Sequence, residues 1–209
     1  MDDLRLISFL PAATEMAFAL GLGDRLLGVS HECDYPAAAR TKPVVVKRTL
    51  PVENMSLAEI DAAVAARVGE GESLYEVDER LLERIAPTHI LTQALCQVCA
   101  PSGNEITRAL AALPVKPEVV WFTPSCLEDI FANLRELAAV TGTSERAERI
   151  IAESKARLAR VAERTRGVAR RPRVTFLEWI DPYFCAGHWV PEMIALAGGE
   201  DALGREGAD

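Results

Sequence analysis

The chain has 209 residues, 49% of them apolar and 26% charged, an ordinary globular balance that allows one large domain or two small lobes. No apolar run reaches the ~18 residues needed to cross a bilayer. The net charge of −8 argues against a nucleic-acid partner, because phosphate binding needs a basic face.

In chain order, the apolar run Leu4–Phe9 predicts a strand, and Ala12–Leu20 a helix stopped by Gly21 and Gly23. Leu26–Val29 reads as the next strand and Val44–Val46 as a short one. Ser56 is placed to cap a helix over 57–68, and Asp78 one over 79–85. A strand at His89–Leu91, a helix near 104–113, a strand at Val119–Trp121 and a helix over 127–140 opened by Ser125 follow. Strands separated by helices imply a mostly parallel sheet.

From Ser144 to Arg166 there is neither Gly nor Pro, and Ala147, Ile150, Ile151, Leu158 and Val161 form one apolar stripe. A helix of that length spans roughly 35 Å, which suits a backbone between two lobes. The Arg160, Arg164, Arg166, Arg170, Arg171, Arg173 run reads as a helix end followed by a solvated connector. Past Gly167 and Pro172 a strand at 174–178, a loop at 181–189 and a helix at 191–197 begin a second α/β unit. One strand and one helix cannot close a sheet, so this unit reads as incomplete. The expected division is an α/β lobe over 1–142, a connecting helix over 143–168 and a partial α/β lobe over 169–209.

The unusual side chains cluster just after the strands: Pro11, Ala12 and Thr14; His31, Cys33 and Tyr35; Gln93, Cys96 and Cys99; Thr123 and Ser125; His188 and Trp189. In a parallel sheet such loops share the carboxyl edge, where ligands bind. The start of the helix after Pro11 offers free N–H groups to a polar or anionic ligand group, and Thr14 could equally cap it. Tyr35 supplies an aromatic face, while Asp34-Tyr-Pro could be turn chemistry alone.

Cys96-Gln-Val-Cys99 admits three readings: small apolar residues packing a loop, soft ligands that with His31, Cys33 and His188 surround a metal, or a redox pair. With no second CxxC, a closed zinc knuckle is not expected. The five cysteines, an odd number, fit a reducing compartment better than a disulfide framework. No nucleophile elbow, phosphate loop or HExxH occurs, so no enzyme is expected. His89 precedes a strand, away from that edge, and is assigned no role.

Ser8-Phe-Leu-Pro-Ala-Ala-Thr-Glu15, Gly28-Val-Ser-His-Glu-Cys-Asp-Tyr-Pro36 and Leu82-Glu-Arg-Ile85 resemble the substrate-binding proteins of ABC importers, in the branch with two lobes joined by one long helix. Phe184-Cys-Ala-Gly-His-Trp-Val-Pro-Glu192 and Ala197–Leu203 extend the match, which is greatest to the cobalamin (vitamin B12)-binding group. The resemblance implies two Rossmann-like α/β lobes, the second truncated, that close over cobalamin or a related corrinoid, with iron-siderophore or haem as alternatives. It implies ligand contact by Tyr35 and by His188 and Trp189 of the second lobe, permease docking by Glu83, and no cofactor beyond the ligand. The family works outside the cytoplasm. Met1-Asp-Asp leads straight into the first strand without a signal peptide, so the chain as given would be cytoplasmic. From another class, a cytosolic metal- or thiol-dependent protein using Cys96 and Cys99 stands as the alternative.

Overall fold

A computed structural model describes residues 3–93, 110–111 and 113–204. The chain divides into two compact units, Met1–Thr123 with Ala139–Gly142, and Pro124–Ala138 with Thr143–Asp209.

The first unit is built on β1 (Leu6–Ser8), β2 (Leu26–Ser30), β3 (Val44–Arg48), β4 (Tyr75–Val77), β5 (His89–Gln93) and β6 (Glu118–Phe122), in the spatial order β4-β3-β2-β1-β5-β6. All neighbouring pairs are parallel except β3–β4. The central strands carry unbroken apolar runs because both faces of a parallel sheet are covered. Leu6, Ile7, Leu26, Val45, Val46, Ile90 and Leu91 are all buried. Gly28 is required by close packing: a Cβ there would lie 2.7 Å from both Ile7 Cδ1 and Val45 Cγ1.

Helix α1 (Pro11–Ala19) starts with Pro at its head, where a missing N–H costs nothing, and stops at Gly21 in the left-handed region. Helix α2 (Leu57–Gly69) carries the capping box Ser56/Glu59, and α3 (Glu79–Ile85) is capped by Asp78, as the sequence predicts. The antiparallel β4 is not foreseen in the sequence. It is three residues long, half-exposed and on the sheet edge, so it lacks the apolar run by which the inner strands are recognised. The predicted helix near 104–113 lies almost entirely outside the described residues.

The second unit contains α4 (Leu127–Thr141, whose last turn falls in the first unit) and α5 (Ser144–Thr165), with Gly142 in the left-handed region between them. Arg135 bonds Glu148 at 2.7 Å and Lys155 pairs with Glu128 at 2.6 Å, tying the two helices together. Of the predicted stripe on α5, Ala147 and Ile151 are buried, whereas Val161 is 43% exposed.

The single strand expected over 174–178 is instead two: β7 (Arg173–Val174), parallel to β10 (Glu200–Asp201), and β8 (Leu177–Ile180), antiparallel to β9 (Tyr183–Cys185). Asp181-Pro182 supplies turn chemistry between β-prone residues, so the chain folds back where a loop was expected. Helix α6 (Val190–Leu196) packs on α5, with the Thr165 hydroxyl donating to the Leu196 carbonyl at 2.9 Å. The described residues thus form an α/β structure, with a mostly parallel sheet in the first unit and short two-stranded sheets in the second.

Candidate functional site

The parallel strands β1, β2, β5 and β6 all end at one edge of the first unit's sheet. Pro11, Ala12 and Thr14 follow β1, while His31, Cys33 and Tyr35 follow β2. Gln93 ends β5 beside Phe122, the last residue of β6. Cys96 and Cys99 lie outside the described residues. His188 and Trp189 fall in the second unit, just ahead of α6, with ring centroids 5.6 Å apart.

Thr14 does not cap α1. The N-cap position is Leu10, which offers no side-chain acceptor, and Ala12 in the first turn is exposed. The fully buried Thr14 hydroxyl instead donates to the Cys33 sulfur at 3.1 Å, joining the first two loops. Burial pushes the Cys33 thiol above its ordinary pKa, helped by the carboxylates of Glu32 and Asp34 and only partly opposed by the bonds from Thr14 and Ser30. Cys33 is therefore held as a neutral thiol, a poor nucleophile and a poor metal ligand.

His31 forms the shared wall of two cavities, of about 430 Å³ and about 450 Å³. Its Nδ1 lies 3.2 Å from the Val46 carbonyl, and its Nε2 lies 2.9 Å from Glu32 Oε1. That second contact is short but out of line for a hydrogen bond, so among the described residues buried Nε2 has no hydrogen-bond partner. The imidazole is thus turned into the protein. Tyr35, by contrast, is 65% exposed at the loop tip.

Three residues that sequence reasoning passed over border this region. The Tyr75 ring sits 6.4 Å from that of His31, brought there by the Val46–Val77 register of the unforeseen β4. Lys47 and Arg48, at the end of β3, line the larger cavity with His31. Arg48 is already engaged, bonding Glu53 at 2.6 Å and lying 3.9 Å from Glu32. The available signal was the run Val44–Arg48 turning from apolar to basic at its end.

Ser125, a nucleophile candidate by residue type, donates both its N–H and its hydroxyl to Asp129 Oδ2, at 2.9 and 2.7 Å. Those bonds hold the Asp129 carboxyl below its usual range and make it a helix-end acceptor, not a base. The Leu127 N–H, also at the start of α4, donates to Glu192 of α6 at 2.9 Å. Glu83 is exposed on α3. Among the described residues no three His, Cys, Asp or Glu side chains gather at metal-binding distance. Nor, among them, is any helix long and apolar enough to cross a membrane.

The periplasmic binding protein family model matches residues 6–208. The vitamin B12-binding protein of Pectobacterium carotovorum subsp. carotovorum (strain PC1) is 25% identical over 201 residues, covering 94% of this chain and 60% of that protein. The chain thus spans about 60% of the length of such a curated relative. Among solved structures, the periplasmic heme-binding protein RhuT from Roseiflexus sp. RS-1 superposes with a TM-score of 0.67 at 23% identity, over 94% of this chain and 65% of that one. The periplasmic vitamin B12 binding protein BtuF of Vibrio cholerae gives 0.64 at 22% identity, over 94% and 65%.

Proposed function

The chain belongs to the periplasmic binding protein family, and from that premise we propose that it captures a cobalamin-type corrinoid and delivers it to an ABC importer. The ligand's flat ring rests at the carboxyl edge of the first unit's sheet. The observation that carries this reading is Tyr35, a large aromatic left 65% exposed on a loop that also bears the cavity wall His31. An aromatic face offers a flat ring large contact area at little entropic cost. Pro11, Ala12 and Gln93 border the same edge, and Thr14 and Cys33 brace the two loops from beneath.

The relative's identity as a vitamin B12-binding protein supports cobalamin as the ligand. Haem is the second reading, favoured by the likeness to the heme-binding RhuT and by the flat tetrapyrrole ring that both ligands share. His188 and Trp189 enter the proposal as ligand contacts on resemblance alone, as does Glu83 as the point of docking on the permease. The ligand is cargo and no cofactor is invoked. We place this work outside the cytoplasmic membrane, as in the family.

The site is read as a carrier's and not an enzyme's, because neither Ser125 nor Cys33 is held in a nucleophilic state. The metal- or thiol-dependent alternative now rests on Cys96 and Cys99. Incubation with cobalamin, removal of free ligand and absorbance of the retained corrinoid tests the proposal. Retention near one corrinoid per chain supports it. Retention of haem alone moves the reading to its second form, and stoichiometric zinc with no retained tetrapyrrole overturns both.

A further inference from the structure

Between residues 157 and 173 the chain carries seven arginines, no lysine and one carboxylate, Glu163. This segment is +6 within a chain of −8, so everything else carries −14. All seven arginines are exposed, along the last turns of α5, the following connector and the first residue of β7. Arg166 pairs with Glu163 at 2.6 Å and Arg157 reaches the Ser154 hydroxyl at 3.0 Å. The other five have no carboxylate within ion-pair distance among the described residues. Val161 and Val168, 43% and 44% exposed, sit among them. Apolar side chains rimmed by arginine are the composition of a protein-binding surface, because guanidinium groups grip carboxylates bidentately while their stems cover apolar area.

The complementary surface is present in the first unit. Residues 70–79 hold five carboxylates, Glu70, Glu72, Glu76, Asp78 and Glu79, and no cation. All five are exposed, and among the described residues only Glu72 has a basic partner, Arg67 at 3.7 Å. Three of them, Glu76, Asp78 and Glu79, line a hollow of about 500 Å³ together with Ser73, Tyr75, Val77 and one cation, Arg80, so carboxylates outnumber cations there by three to one; the 40% exposed Val68 lies just ahead in the chain. Exposed arginines with apolar residues among them thus complement in charge a hollow bordered mainly by carboxylates.

We propose that the chain associates with a second copy of itself, the Arg157–Arg173 segment of one protomer seating on the Glu70–Glu79 carboxylates of its partner and the hollow that Glu76, Asp78 and Glu79 border. Because each copy carries both surfaces, the contact forms twice in a two-fold pair, or head to tail. A nucleic acid is disfavoured as the occupant by the −14 carried outside the segment.

Sedimentation velocity of the 209-residue chain tests this, from about 1 to about 100 µM protein, at ionic strengths of about 0.01 M and about 0.5 M. At low salt the mass should rise with concentration to at least twice 22.8 kDa, and high salt should return it to the monomer. The Arg164→Glu/Arg170→Glu/Arg171→Glu variant and the Glu70→Lys/Glu76→Lys/Glu79→Lys variant should each lose association about tenfold or more. Mixing the two should restore it, which a folding defect could not do. A monomer at every concentration overturns the proposal. So does association insensitive to salt, or an arginine variant that loses only binding to anionic vesicles or DNA.

Discussion

The hydroxyl of Thr14 and the sulfur of Cys33 lie 3.1 Å apart, a contact that locks α1 to the loop after β2 beneath the exposed Tyr35. Two residues 19 positions apart, both expected at the ligand edge, contact each other. The candidate surface is therefore carried by their neighbours, and the pair supplies the rigidity on which those neighbours stand.

The Cys33 thiol is predicted to be slow to react. With its pKa raised by burial, little thiolate exists near pH 8, and the sulfur itself is enclosed. Site-resolved mass spectrometry after brief iodoacetamide treatment should find Cys33 labelled at least about tenfold more slowly than the exposed Cys185. Denaturation should bring the two rates together. Equal rates in the native protein contradict this account of the loop.

Gly28→Ala should destabilise the first unit by about 1–3 kcal/mol, because the added methyl meets Ile7 and Val45 at 2.7 Å in the sheet's centre. Thermal or urea unfolding monitored by circular dichroism measures it. An unchanged midpoint would show that the two side chains can withdraw, and that the central packing is looser than described.

In the second unit, Glu192→Ala removes the acceptor of the Leu127 N–H and a negative charge near the start of α4. A loss of about 1 kcal/mol is expected, with Glu192→Gln losing less because it keeps an acceptor. Unfolding midpoints of the two variants should fall in that order. If both match the parent, the bond does not hold α6 to α4.

Acid should loosen the α4–α5 pair. Lys155, and then Arg135, hold Glu128 below its ordinary value, Arg135 does the same to Glu148, and Arg135 is raised in return. A carboxyl depressed in the folded state binds fewer protons than in the unfolded chain. Its contribution is full above the ordinary carboxylate value and fades as pH falls through the folded one. The midpoint difference between parent and Glu148→Gln should therefore be present near pH 6 and shrink as pH falls below the ordinary carboxylate value. A difference constant with pH would assign the effect to packing.

Much of this architecture is legible in the residues because short-range chemistry dictates it. The unbroken apolar runs of β1, β2 and β5, the Ser56 and Asp78 caps and the Gly21 stop all act within a few residues of themselves. Two features escape such reading because they depend on pairing across the chain. Strand β4 exists through its register with β3, and the β8–β9 hairpin through cross-strand neighbours such as Ile180 and Tyr183. The site divides in the same way. That β1, β2, β5 and β6 end at one edge follows from parallel order, whereas the inward turn of His31 and the Thr14–Cys33 contact follow from side-chain packing.

The most direct test is a calorimetric titration of the protein with cobalamin, repeated with Tyr35→Ala. The account predicts saturable binding near one site per chain and about tenfold weaker binding in the variant, equivalent to about 1.4 kcal/mol. Absence of saturable heat with cobalamin, and likewise with haem and an iron-siderophore, would contradict it.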